Sequence, residues 1–192
     1  QYFPGITQTF AEKSEFQLKK SSYISSGKFE EFREKVQNYE AEIRSAIKKL
    51  NPCDHNTTDC LQTFTMDDGT VYYGSSSEDI ANGPGIEKIQ NSNLQYFGYY
   101  VNGYSNGLVL EKDGSGSCLV EYQNGDATGK AQCLDENPLY FFDGSFIKGS
   151  KNGYGVELHE DYLYEGNFTD DLREGKGQWV DNSGLFYKGD FK

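Results

Sequence analysis

The sequence predicts a mainly β protein: an elongated antiparallel β-hairpin solenoid in a single sheet, preceded by one α-helix. Three observations lead there. Glycine recurs in step through the last two thirds of the 192 residues. Aromatic content is high at 15%, with 15 Tyr and 13 Phe, while hydrophobic content is only 35%. One segment alone carries a sustained helical stripe. Disordered chains are poor in aromatics, and helical bundles do not tolerate 22 glycines.

The glycine step defines a repeat. In Tyr164-Glu165-Gly166-Asn167-Phe168, a glycine is followed nine residues later by Gly175-Lys176-Gly177. The same offset joins Gly144 to Gly153 (with Gly155 beyond it), Gly74 to Gly83 (with Gly85), and Gly98 to Gly107. Val120 takes the first slot of a weaker copy that ends at Gly129. The slots at 74, 98, 120, 144 and 166 are spaced by 24, 22, 24 and 22 residues, and a further half-copy carries Gly189 before the chain stops at Lys192. Five hairpins and a half are expected over residues 71–192. Strand alternation puts Tyr164, Gly166 and Phe168 on one face. Folding about a polar loop at 170–174 sets them opposite Trp179, Gly177 and Gly175. Bare glycines would let rings from the neighbouring hairpin lie flat, which accounts for glycine inside strands, where it normally weakens them. Each unit then touches only its neighbours.

This Tyr-x-Gly-x-Phe then Gly-x-Gly pattern resembles the MORN repeat (membrane occupation and recognition nexus) over roughly residues 71–192, best in 142–191 and weakest in 117–134. The resemblance implies consecutive hairpins in an elongated, often curved sheet that serves as a scaffold or docking surface. Some members of that family are linked to phospholipids or to dimer formation.

The segment before the repeats divides into an extended arm (1–27), a helix (28–50) and a connector (51–70). Phe29, Phe32, Val36, Tyr39, Ile43, Ala46 and Leu50 step alternately by three and four residues, and Ile47 widens the stripe. Gly27 precedes the helix and Asn51-Pro52 ends it. The stripe packs either on the aromatic face of its own sheet or on another chain. Residues 1–27 show no helical period, and a tail of that kind needs a surface to be ordered. One such surface is the open sheet edge, of the same chain or of a second copy added head-to-tail, a contact that propagates into a filament unless it closes.

Cys118 and Cys133 are expected on directly opposed positions of the third hairpin, close to disulfide reach. Cys53 and Cys60 bracket a short polar loop and are expected to form a second, local bridge. The competing metal site from Cys53, His55, Cys60 and Asp54 or Asp59 follows no standard zinc spacing. Two disulfides imply an oxidising compartment, and two sequons, at Asn56 and Asn167, agree with secretion without proving it, because chance supplies about as many.

The net charge of −12 (18 Lys+Arg, 30 Asp+Glu) argues against nucleic acid as a partner and against an anionic membrane surface. No nucleophile elbow, phosphate loop or HExxH is present, and the two histidines are distant in any linear array. No catalytic, cofactor-binding or metal-ligating residues are therefore assigned. The expected function is a non-enzymatic structural subunit that self-associates, a secreted filament among the forms it could take. The alternatives are an intracellular or organellar scaffold whose aromatic sheet face binds a partner helix, and an accessory domain of a larger enzyme.

Overall fold

The computed structural model describes residues 10–54 and 57–192. Two helices, α1 (Phe10–Ser25) and α2 (Lys28–Lys48), precede thirteen strands: β1 Cys60–Thr65, β2 Val71–Ser77, β3 Ile80–Lys88, β4 Gln95–Val101, β5 Tyr104–Lys112, β6 Gly116–Gln123, β7 Asp126–Glu136, β8 Leu139–Ile147, β9 Ser150–Lys151, β10 Gly153–His159, β11 Tyr162–Thr169, β12 Leu172–Asp181 and β13 Phe186–Phe191. Every pairing is antiparallel and follows chain order in one open sheet, with the short β9 continuing the hairpin made by β8 and β10. The five hairpins are 71–88, 95–112, 116–136, 139–159 and 162–181, and β13 is the half.

The register agrees with the expected pairing at Tyr164–Trp179, Gly166–Gly177 and Cys118–Cys133. It departs nearer the tips. Phe168 faces Arg173, not Gly175, and 172–174 is strand, not loop. The reason is a tighter turn than expected. The tips are Glu78-Asp79, Asn102-Gly103, Asn124-Gly125, Lys148-Gly149 and Asp170-Asp171, each with positive φ at both residues, the two-residue turn that matches strand twist. Tightening the tip leaves two extra residues on the returning strand, taken up in a bulge at the second glycine. Gly175 there has φ +71°, a left-handed backbone that a side chain strains. The tips stack by backbone bonds, Gly103 to Ala81 (2.8 Å), Gly125 to Ser105 (2.9 Å), Gly149 to Ala127 (2.9 Å) and Asp171 to Lys151 (3.1 Å).

The first-slot glycines Gly74, Gly144 and Gly166 serve the rings of their own strand (Tyr72, Phe142 and Tyr164), not those of a neighbouring hairpin. Tyr164 lies over Gly166 and Gly177: a Cβ on Gly177 would sit 2.8 Å from its ring, and one on Gly166 2.6 Å from the Gly177 Cα. Its hydroxyl donates to the Asn167 carbonyl (2.8 Å). Tyr72 to Ser75 (2.6 Å) and Tyr187 to Asp190 (2.8 Å) repeat the device.

Residues 10–25 are helical, which corrects the extended arm expected for 1–27; residues 1–9 lie outside the described part. Tertiary contacts decide the matter. Phe16 is buried against Phe186, with ring centroids 5.7 Å apart. Lys20 runs its stem through the interior to the Glu160 carbonyl (3.2 Å), while Lys19 pairs with Glu165 and Glu12 with Lys188 (2.9 Å). Both helices pack on one side of the sheet. Phe32, Val36, Ile43 and Ile47 share a core with Phe97, Leu110, Phe141, Leu158, Leu163 and Val180, while Phe29 and Tyr39 pack at its margin and Leu50 is half-buried. This is the aliphatic face, set by the residues between the rings. The stripe of α2 is therefore used within its own chain, on the face opposite the aromatic one expected.

Both disulfides are present, Cys53–Cys60 and Cys118–Cys133. The first clips the segment after α2 along the outer edge of β1, where Leu61 donates to the Asn51 carbonyl (2.7 Å) and accepts from the Cys53 amide (3.3 Å). The second closes a loop with a sequence separation of 15 residues. Its loss, in a Cys118→Ala/Cys133→Ala double variant, is expected to cost about 3 kcal/mol of chain-entropy stabilisation, read by denaturant unfolding.

Candidate functional sheet face

The sheet has two unlike faces. On the helix face, α1 and α2 cover the half of the sheet away from the hairpin tips. A strip near the tips stays uncovered and apolar, including Ile80, Val101, Tyr104 (60% exposed), Ile147, Tyr154 and Leu172 (71% exposed). Small depressions beside α2 are lined by Lys28, Glu31, Phe32, Lys35 and Phe141 in one case and by Phe32, Arg33, Val36 and Lys112 in the other.

The other face carries the rings and has no helix on it among the described residues. Its middle row runs across the strands through Tyr72, Glu87, Tyr96, Glu111, Cys118, Cys133, Phe142, Glu157, Tyr164, Trp179 and Tyr187, each paired with the next or placed beside it. Rings meet edge to face along it: Tyr164 with Phe168 (5.1 Å) and Phe191 (5.0 Å), Phe142 with Phe168 (5.7 Å), and Tyr72 with Tyr100 (5.2 Å).

Three glutamates stand in this row, and their surroundings differ. Glu157, 4% exposed, is held by Lys151 and by Arg173 (2.6 Å), and Tyr162 donates to it (3.2 Å). Lys151 sits 5.2–5.6 Å over Tyr140, Phe142 and Phe168, and Arg173 lies 4.5 Å over Tyr162 and 5.0 Å over Tyr164, so both cations also gain from the rings. Burial pushes the Glu157 carboxyl up, but the bonds from Lys151 and Arg173 outweigh it and hold the group below the usual carboxylate range. Burial drives the Tyr164 phenol up to about 12 against the opposing Arg173. His159 is stacked on Tyr162 (4.4 Å) and meets Tyr140 edge-on (4.9 Å), and burial lowers its pKa.

Glu87 and Glu111 lack such partners. Burial raises the pKa of both, opposed at Glu87 by Tyr100 and at Glu111 by the Tyr122 hydroxyl, which donates at 2.8 Å. Tyr100, 2% exposed, turns its hydroxyl toward Glu87 without completing a hydrogen bond. Sequence reading did not single out these glutamates, although their repeat positions were legible.

Cys53 and Cys60 are bonded to each other, so they offer no thiolates to the competing metal site; His55 and Asn56 lie outside the described residues. Asn167 is exposed on the helix face, with its amide nitrogen 3.4 Å from the Lys176 carbonyl. No helix of the described residues is long and apolar enough to cross a membrane. The two disulfides are compatible with an extracellular location.

Comparison with known proteins finds similarity to alsin. The chain is 28% identical over 139 residues to alsin of Rattus norvegicus, and 27% identical over the same length to those of Mus musculus and Homo sapiens. Each match covers 65% of this chain and 8% of the alsin chain, so the chain spans under a tenth of the length of the curated relatives it matches. No family model matches the chain. The hairpin sheet together with the alsin similarity fits a MORN-like fold.

Proposed function

We propose that the chain is a non-catalytic MORN-repeat scaffold that docks a protein partner on its ring face. The observation that carries this reading is the asymmetry of the sheet. The apolar stripes of α1 and α2 are spent on the aliphatic face, while a continuous row of aromatic and acidic side chains stands on the other, buried at Tyr72, Phe142, Glu157 and Tyr164 and half-buried at Glu87, Tyr96, Glu111, Trp179 and Tyr187. Aromatic rings that present both an apolar body and a polar edge are what interface cores are enriched in. A photo-cross-linking side chain in place of Trp179, on the ring face, should give a covalent adduct with a partner in the cells that make the protein. The same group in place of Lys35, on α2, should give none. Adducts of equal yield from both positions, or from neither, contradict the reading.

A second reading, self-association, is favoured by the exposed apolar strip at the hairpin tips. Sedimentation in dilute solution tests this reading. Self-association predicts a dimer or larger species that Ile147→Lys/Tyr154→Lys dissociates, and a strict monomer removes it.

A further inference from the structure

We propose that Glu87, Tyr96 and Glu111 form the recognition site for a lysine or arginine side chain of the docked partner, an inference that rests on the docking reading above. The repeat itself shows what this place requires. Glu87, Glu111 and Glu157 occupy one repeat position, and Cys133 and Trp179 fill it in the other hairpins. A second repeat position, paired across each hairpin tip, is held by Ala81, Ser105, Ala127, Lys151 and Arg173. In the fourth hairpin the two positions complete each other: Lys151, from the same hairpin, and Arg173, from the next, both bind Glu157 while lying over rings. Around Glu87 the corresponding residues are Ala81 and Ser105, and around Glu111 they are Ser105 and Ala127. The acids are kept and both cations are gone. Among the described residues neither carboxylate has a lysine or arginine within ion-pair distance.

The rings are kept as well. Tyr96 is paired directly with Glu87 on one side and Glu111 on the other, which puts the Cβ atoms of two glutamates about 5 Å from that of one tyrosine. Unlike Tyr72, Tyr164 and Tyr187, it does not fold over its glycine: the atoms nearest a Cβ on Gly98 belong to Val109 and Leu108. All three side chains are half-exposed, so they can be reached from solvent. The enclosed Tyr100 hydroxyl beside Glu87 is the described buried side-chain polar group left without a bond, a donor with which Glu87 could be held as an anion. Two carboxylates flanking a ring are suited to an alkylammonium or guanidinium group, and in a protein partner that means lysine or arginine.

Tetralysine serves as the probe, observed through the carboxyl carbons of Glu87 and Glu111 and the ring signals of Tyr96 by NMR. Saturable shifts at these three residues are expected. Glu87→Gln/Glu111→Gln should weaken binding at least tenfold, and so should Ser105→Lys, which supplies the missing cation from within the chain. Glu34→Gln/Glu174→Gln, of equal charge change, should leave binding within twofold. Equal loss in all three variants would mean attraction to net charge alone and would overturn the site, as would binding that none of them affects. If either result came with intact cross-linking from position 179, the docking face would stand and only the cation site would fall. Loss of that cross-link from the unsubstituted partner surface would remove the docking reading itself.

Discussion

Replacing Tyr164 with Ala is expected to lower stability by about 3–5 kcal/mol, the range for emptying a large aromatic site. The ring is fully buried, covers Gly166 and Gly177, and touches Phe168 and Phe191. Nothing can collapse into the space, because two of its walls are glycine backbone. For a chain of this length the change corresponds to a fall in Tm of about 6–20 °C. Tyr96→Ala provides the contrast. Its ring covers no glycine and is half-exposed, so the expected loss is about 1 kcal/mol, within the usual range of single substitutions. Gly177→Ala approaches the Tyr164 site from the other side. The added methyl group would meet the ring at 2.8 Å, and overpacking of this kind costs about 1–3 kcal/mol. Thermal and denaturant unfolding should rank the three variants with Tyr164→Ala worst, Gly177→Ala intermediate and Tyr96→Ala mildest.

Removing the carboxylate of Glu157 is the second large effect. Glu157→Ala leaves the Lys151 and Arg173 cations facing each other over the rings with no counter-charge, and breaking a buried pair in this way costs about 3–5 kcal/mol. The pH dependence has a definite direction. The folded Glu157 carboxyl lies below its unfolded value, so its contribution is complete above about pH 4.3 and is lost as pH falls through the folded value. Glu87 and Glu111 behave oppositely. Burial raises both folded values, so their contribution is complete below about pH 4.3 and is lost as pH rises through the folded values. Glu87→Gln and Glu111→Gln should therefore raise stability at pH 7 in the absence of a bound cation, whereas Glu157→Gln lowers it. Denaturant midpoints at pH 7 for the three single variants give the comparison.

The parts of this architecture that recur locally were legible in the sequence. The spacing of the glycine slots gave the number of hairpins and the opposition of Cys118 to Cys133 and Tyr164 to Trp179. The stripe from Phe29 to Leu50 gave α2. What escaped was set by geometry that the period does not encode. Asn102-Gly103 and Asn124-Gly125 are strong signals for two-residue turns, but Glu78-Asp79 and Asp170-Asp171 take the same conformation without glycine, and the polar run at 170–174 reads as a longer loop. The bulge at Gly175 follows from that tighter tip. Helix α1 escaped because Phe16, Lys20 and Tyr23 form too narrow a stripe, with Leu18 facing solvent at 70% exposure; its order comes from the distant Glu165, Phe186 and Lys188. The acidic position at 87, 111 and 157 was visible in the period. Its meaning required seeing Lys151 and Arg173 folded back onto Glu157.

Oxidative footprinting of the protein alone and in its native assembly tests the division of labour between the two faces most directly. A docking face opposite the helices predicts that Tyr96, Tyr162 and Trp179 lose reactivity in the assembly while Leu18, on α1, keeps it. Protection confined to α1 and α2, with the three ring-face residues unchanged, would contradict it.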